Sequence, residues 1–260
     1  MAWTRLYTDA EPQRVNRWLA QSGVCSRREA EGLIAQGLVS IDGERVDDAG
    51  RKILPGQTLT LADAATGRLE SSLSLMINKP VGIVSSQPEG GQIPAVRLLT
   101  RATLWGDSSS IPDKDSKLAP VGRLDMDSRG LLILSEDGVL AKAVIGPASD
   151  LEKEYVVRVE GPITDRKLAL LRHGLSLDQR ELKPAKVNLI GGQSLRFILK
   201  EGRNRQIRRM CEAVDLNVED LFRIRIGPLK IGDLPEGRWR PLTTEERAAL
   251  IHASSPQLAS

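Results

Sequence analysis

Apolar positions recur at helical spacing in Arg14 to Gln21, where Val15, Trp18 and Leu19 share a face and Ser22-Gly23 closes the run. A second helix is predicted from Ser26, with Glu29 three residues later in a capping-box pattern and Ala30, Leu33 and Ile34 as its apolar face. The period then changes to two. Leu38-Val39-Ser40-Ile41 reads as a short strand, Asp42-Gly43 as a hairpin turn and Glu44-Arg45-Val46 as the return. Ile53-Leu54-Pro55-Gly56 and Leu59-Thr60-Leu61 complete a small β unit. The pattern therefore predicts a module of two helices and a small sheet over residues 12–61. A loose arm precedes it, and residues 62–72, small and polar, form a linker.

From residue 73 the pattern is longer and mixed. Leu73 to Asn78 is a core strand, Lys79-Pro80-Val81-Gly82 a turn, and Arg101 to Lys117 a mobile surface excursion. Pro120 to Leu134 starts with a turn signal, carries five polar residues, and ends in an apolar run that reads as a buried strand. Strands are predicted at Lys153 to Val159, Leu182 to Ile190, Ser194 to Lys200 and Phe222 to Ile226, the last alternating apolar residues with Arg. Helices are predicted at Val139 to Val144, Ile163 to His173, Arg203 to Ala213 and Thr244 to His252. Without regular βαβ alternation, residues 73–252 read as an α+β domain with a largely antiparallel sheet and flanking helices, followed by a disordered tail, 253–260.

Composition narrows the function classes. The 260 residues are 40% hydrophobic and 27% charged, and no apolar run approaches a membrane span. The N-terminal residues lack the apolar core of a signal peptide. Cys25 and Cys211 are far apart, and the two histidines, His173 and His252, are not near either, so neither a disulfide framework nor a metal site is expected. No cofactor is called for, and a reducing cytoplasm is the expected setting. The net charge is +3, with basic residues concentrated in Arg196 to Arg209 and Arg223 to Arg240. Aromatics are 3% of the chain, too few for a stacking platform, so a nucleic-acid partner would be held by phosphate contacts and shape.

The candidate chemistry lies in residues 120–134. Asp125 sits beside Arg123, and Asp127 and Ser128 read as loop-stabilising hydrogen bonders. A carboxylate that works as nucleophile or base must stay ionised, which a neighbouring guanidinium achieves. Tyr155, the one tyrosine after residue 73, can stack on a base and exchange a proton. Arg205 and Arg209 read equally as phosphate contacts and as solvated charges, while Lys79-Pro80 reads as structural support.

Two resemblances attach to these residues. Arg14-Val15-Asn16-Arg17-Trp18-Leu19, Ser22 to Ala30 and Val39-Ser40-Ile41-Asp42-Gly43 resemble the S4 RNA-binding domain. This implies RNA contacts from Arg14, Asn16, Arg17, Ser26, Arg27 and Arg28. Asn78-Lys79-Pro80-Val81-Gly82-Ile83, Gly122 to Ser128, Glu152-Lys153-Glu154-Tyr155 and Glu201 to Met210, in that order, resemble the pseudouridine synthases. The branch is the one that joins the type acting on small ribosomal RNA to the B, E and F types acting on large ribosomal RNA. The F type is the most similar.

The resemblance implies an isomerase that converts a uridine to pseudouridine in a 23S rRNA stem-loop and, in some bacteria, in the anticodon loop of tyrosine tRNA. Asp125 would be the catalytic aspartate, Arg123 would replace the flipped base, Tyr155 would pack on the uracil and Arg208 would pair with Asp125. Arg203, Arg205, Gln206 and Arg209 would contact RNA, and the protein would be a monomer. The same chemistry on 16S rRNA, or a non-catalytic RNA-binding assembly factor, are the alternatives. Met126 and Arg129 stand where relatives often carry Lys and Gln, which implies altered RNA contacts.

Overall fold

Ser26 accepts from the Glu29 N–H at 3.2 Å and Glu29 returns a bond to the Ser26 N–H, so the predicted capping box starts its helix as the sequence suggests. This is seen in a computed structural model that describes residues 3–108, 111–113 and 116–254. By contact, the chain divides into two units, residues 1–73 with 135–142, and residues 74–134 with 143–260.

In the first unit, strands β1 (Trp3–Leu6) and β2 (Gln13–Arg14) lead into helices α1 (Val15–Gln21) and α2 (Arg27–Ala35). Strands β3 (Val39–Ile41), β4 (Glu44–Arg45), β5 (Lys52–Ile53) and β6 (Thr58–Leu61) follow, then helix α3 (Asp63–Glu70). The main sheet runs β1-β6-β3-β4, and β2 pairs with β5. Asp42 (φ 49°) and Gly43 (φ 85°) are both left-handed, as the tight turn between β3 and β4 requires. Trp18, Leu19, Leu33, Ile34, Leu59 and Leu61 form the buried core, with Tyr7 edge-on to Trp18 at 5.4 Å.

Two expectations are corrected here. Part of the N-terminal arm is β1, which pairs antiparallel with β6 because the far edge of that sheet is otherwise open. Residues 63–70 of the linker are α3, whose Ala65 is fully buried in the core.

In the second unit, β7 (Ser74–Lys79) is buried throughout, β8 (Ile83–Val84) pairs in parallel with β9 (Ile93–Pro94), and β10 (Ala119–Val121) precedes β11 (Arg129–Ser135). Helix α4 (Gly138–Ile145) begins among the residues 135–142 that group with the first unit, and after it come β12 (Lys153–Glu160), α5 (Asp165–Arg172), and the small hairpin β13 (Ser176–Leu177) and β14 (Arg180–Glu181). The chain ends with β15 (Lys186–Gly191), β16 (Ser194–Leu199), α6 (Gln206–Glu212), β17 (Asn217–Ile226), β18 (Leu229–Lys230), β19 (Trp239–Pro241) and α7 (Thr244–Ser254).

The large sheet runs β15-β16-β12-β17-β11-β7-β19, with β10 added beside β11 and β18 beside β17. The β15–β16, β16–β12, β12–β17 and β7–β19 pairs are antiparallel, and β11 with β17 is parallel. The α+β expectation with a mainly antiparallel mixed sheet therefore holds. In the surface excursion, a 3₁₀ turn at Arg101–Thr103 is tied to β19, where the Trp239 indole donates to the Thr100 carbonyl at 2.9 Å. Residues 109–110 and 114–115 of the excursion and 255–260 of the tail lie outside the described residues, while Ala253 and Ser254 finish α7.

Gly130 explains how β11 and β17 come together. A Cβ on it would lie 2.3 Å from the Arg223 carbonyl oxygen, and its φ is 112°, so only glycine permits the approach. Next to it, Arg129 makes a bidentate pair with Asp220 (2.9 and 2.8 Å) and stacks on Phe222 at 4.1 Å. Arg129 thus has partners inside the protein.

Candidate active site

Residues 122–128 join β10 to β11, at the edge where the motif places its charges. Gly122 turns the chain with φ 84°. The backbone beyond it is pinned from three other segments. Ser85 accepts from the Leu124 N–H at 2.8 Å and donates its hydroxyl to the Leu124 carbonyl at 2.6 Å. The Gly82 N–H donates to the Met126 carbonyl at 2.8 Å. Arg223 donates to the Arg123 carbonyl at 3.2 Å, and Arg208 to the Asp127 carbonyl at 2.7 Å. Within the loop, the Ser128 N–H closes a turn on the Asp125 carbonyl at 3.1 Å. A polar loop tied down in this way presents its side chains in a fixed arrangement, as chemistry at a scaffolded site requires.

The two carboxylates of the loop have different surroundings. Asp127 gathers cations: Arg205 donates to it at 2.9 Å, and Arg208 Nε lies 3.3 Å away. Burial alone would raise the Asp127 pKa, but the Arg205 hydrogen bond and the two guanidinium charges outweigh it and hold the carboxyl below its ordinary value. Asp125 is less crowded, with Arg205 Nη1 at 3.8 Å. The expected Arg208–Asp125 pair is therefore corrected. Arg208 is held by the Asp127 carboxylate, the Asp127 carbonyl and, at 3.1 Å, the Val218 carbonyl. Arg205 precedes α6 in a left-handed conformation (φ 49°) and bridges both aspartates.

Beneath the loop, Lys79 is fully buried and donates to the Pro80 and Ile83 carbonyls at 2.8 and 2.7 Å. Burial pushes its pKa down to about 8, against the pull of Asp125 and Asp127.

Arg123, Asp125, Tyr155 and Arg205 line one open cleft of about 690 Å³ in this unit. Tyr155 stands on β12 with 9% exposure, opposite Phe197 of β16 and Arg223 of β17. The expected RNA contacts around α6 fare differently. Arg203 donates to the Leu177, Arg180 and Glu181 carbonyls at 3.2, 3.1 and 2.6 Å, which clamps the β13–β14 hairpin. Arg209 forms a bidentate pair with Asp178 (2.9 and 2.7 Å), and Gln206 is buried between Arg203 and Glu201. These three side chains serve internal contacts: the hairpin region brings acceptors to Arg203 and Arg209, which spacing along the helix does not reveal, and the segment just before α6 engages Gln206.

In the first unit, Arg14, Arg17, Arg27 and Arg28 are exposed and form no ion pair among the described residues. Asn16 donates to Glu31 at 2.8 Å, and Ser26 is engaged as the helix cap.

Residues 74–213 match the RNA pseudouridylate synthase family, and residues 13–59 match the S4 domain. The chain belongs to the RNA pseudouridylate synthase family. It is 35% identical over 235 residues to the dual-specificity RNA pseudouridine synthase RluF of Escherichia coli O6:H1, covering 90% of this chain and 76% of that one. It is 33% identical over 247 residues to an uncharacterized RNA pseudouridine synthase of Aquifex aeolicus, covering 92% and 94%. It is 35% identical over 251 residues to the ribosomal large subunit pseudouridine synthase B of Haemophilus influenzae, covering 91% and 66%. A crystal structure of a pseudouridylate synthase superposes with a TM-score of 0.63 at 27% identity, covering 91% of this chain and 99% of the other.

This pseudouridine synthase is thus an enzyme that isomerises uridine to pseudouridine in RNA, with an S4 RNA-binding domain at its N-terminal end. Among its described residues no group of His, Cys, Asp and Glu could hold a metal ion, and no helix is long and apolar enough to cross a membrane. Two cleft residues of the synthase, Lys153 and Arg223, did not stand out in the sequence. Lys153 lies within the Glu152-Lys153-Glu154-Tyr155 motif and could have been found by alternation, since it shares a strand face with Tyr155. Arg223 could not, because a register shift of β17 against β12 falls between Glu154 and Tyr155. That bulge puts Arg225 opposite Glu154 and Arg223 opposite Tyr155, on opposite faces, although the two arginines alternate in sequence.

Proposed function

We propose that the Asp125 cleft is the active site and that its target is a uridine in a stem-loop of large-subunit ribosomal RNA. The observation that carries the first part is the pinned 122–128 loop, which holds a partly exposed carboxylate in the cleft that Arg123 and Tyr155 also line, one large enough for a nucleotide. The target must leave the base stack, at a cost of a few kcal/mol that protein contacts offset. Arg123, exposed on the loop, fills the place the base vacates, and Tyr155 offers its ring to the extruded uracil. Asp125 then acts on the ribose, either by attack on C1′ or by removal of the C2′ proton. Both roles need an ionised carboxylate, and Arg205 lies 3.8 Å from it as its counter-charge. Arg208 acts indirectly, fixing the Asp127 end of the loop.

The names of two relatives support the RNA assignment, one a large-subunit synthase and the other dual-specificity. The tyrosine tRNA anticodon loop is the second RNA to test. The exposed arginines of the first unit hold phosphates of the substrate, and the enzyme works as a cytoplasmic monomer. The test is Asp125→Asn on a stem-loop RNA under single turnover. Pseudouridine formation is expected to fall by about 10³-fold or more with RNA binding retained, and an active Asp125→Asn protein rejects the assignment. Pseudouridine mapping in total RNA of a deletion strain identifies the nucleotide.

A further inference from the structure

Lys153 and Arg223 line the same cleft as Asp125, and neither forms an ion pair among the described residues. Arg223 is 5% exposed. Its Nε donates to the Leu131 carbonyl at 2.7 Å and its Nη1 to the Arg123 carbonyl at 3.2 Å, while Nη2 is buried without a partner. A buried guanidinium held only by neutral carbonyls keeps its full charge uncompensated, an arrangement that costs stability and calls for a reason. Lys153 adds a second charge on the Tyr155 face of β12. Burial lowers its pKa and Arg223 lowers it further. Asp150 acts in the opposite sense but lies 3.8 Å from Lys183. On the 122–128 loop, Asp125 and Asp127 are already matched by Arg205 and Arg208. The cleft therefore holds positive charge in excess beside the tyrosine, and that charge faces no carboxylate of its own.

The reaction creates the matching negative charge. When the N1–C1′ bond breaks, its electron pair stays with the ring and spreads over N1, O2 and O4. The ring turns, C5 bonds to C1′, C5 loses its proton and N1 gains one, so the product is an isomer of the substrate. The geometry points to Lys153 as a further catalytic residue, its ammonium donating to a ring oxygen of the detached uracil, with Arg223 fixed beside it as the second positive charge. Charge fixed before the bond breaks stabilises the departing anion without reorganisation. A phosphate of the target nucleotide is the other anion this site fits, and the two are separable by experiment.

The inference rests on the Asp125 cleft being the active site. The test uses Lys153→Met and Lys153→Arg on stem-loop RNA with uridine or 5-fluorouridine at the target, since fluorine stabilises the ring anion and makes a better leaving group. Loss of the target nucleoside is followed under single turnover, and RNA affinity is measured separately. Lys153→Met is expected to slow uridine cleavage by about a hundredfold and fluorouridine cleavage by several-fold less, with Kd unchanged and Lys153→Arg restoring most of the rate. Equal losses on both RNAs, a weakened Kd with an unchanged rate, or no effect at all would each overturn it. If Asp125→Asn is also active, the cleft assignment fails. If Asp125→Asn is dead and Lys153→Met is normal, only the role of Lys153 fails.

Discussion

At the start of α2, Arg27 and Arg28 stand exposed without an ion pair, whereas around α6 Arg203, Arg208 and Arg209 direct their N–H groups to acceptors inside the protein. Arg27 and Arg28 open α2, Arg203 precedes α6 and Arg208 and Arg209 lie within it, and both groups would be read as a basic surface. The difference is what each guanidinium meets. On α2 the nearest acidic residue, Glu29, is committed to the capping box. Around α6, a hairpin, the 122–128 loop and β17 all supply acceptors. An arginine that has satisfied its donors internally builds the site, and one that has not is available to phosphate. Proximity in sequence to a catalytic motif is therefore no guide to which arginines lack partners inside the protein.

The comparison is tested most severely at Arg203. Arg203→Ala leaves three carbonyls of the β13–β14 region without their donor, and about 3 kcal/mol of stability is expected to be lost in urea unfolding. A variant that keeps its stability but loses RNA affinity would return Arg203 to the RNA-contacting set. Lys79 is the next case of an internally committed cation. Its folded pKa of about 8 lies below its unfolded value near 10.5, so this group binds more protons in the unfolded chain between those limits and its contribution to stability rises with pH across them. The gain between pH 8 and pH 10 is on the order of 2 kcal/mol. Burial pushes the Cys25 and Cys211 thiols up to about 12, which works in the opposite sense. The Lys79 contribution is therefore read as the difference between urea titrations of the wild type and Lys79→Met, which should widen in favour of the wild type from pH 8 to pH 10. The smallest effect is on α2. Arg27→Ala and Arg28→Ala are expected to leave stability within about 0.5 kcal/mol. Each is expected to lower the slope of log affinity against log salt by about 0.7 to 0.9. An unchanged slope removes the phosphate role.

Much of the fold was legible because local rules decide it. The capping box at Ser26 and Glu29, the Asp42-Gly43 turn and the apolar run of β11 each depend on residues a few positions apart. The elements that were missed depend on distant partners. β1 is a strand because β6 offers an edge, and α3 is ordered by Ala65 entering a core built from residues 7 to 61. The site divides in the same way. Asp125, Arg123 and Tyr155 could be named from motifs, and they do share one cleft. The partner of Asp125 could not be, because Arg205 and Arg208 differ by one helical turn and only the folded position of Asp127 draws Arg208 away.

By itself, then, the sequence determined the family and the two kinds of domain and singled out the carboxylate proposed to carry the chemistry, since these rest on short motifs whose meaning is local. Tertiary structure alone decided which cations pair with which carboxylates and which stay uncompensated. A one-residue bulge between β12 and β17 sends Arg223 to the cleft and Arg225 to Glu152 and Glu154. Side-chain direction in a sheet depends on register, and register is a property of two strands that the chain brings together from far apart.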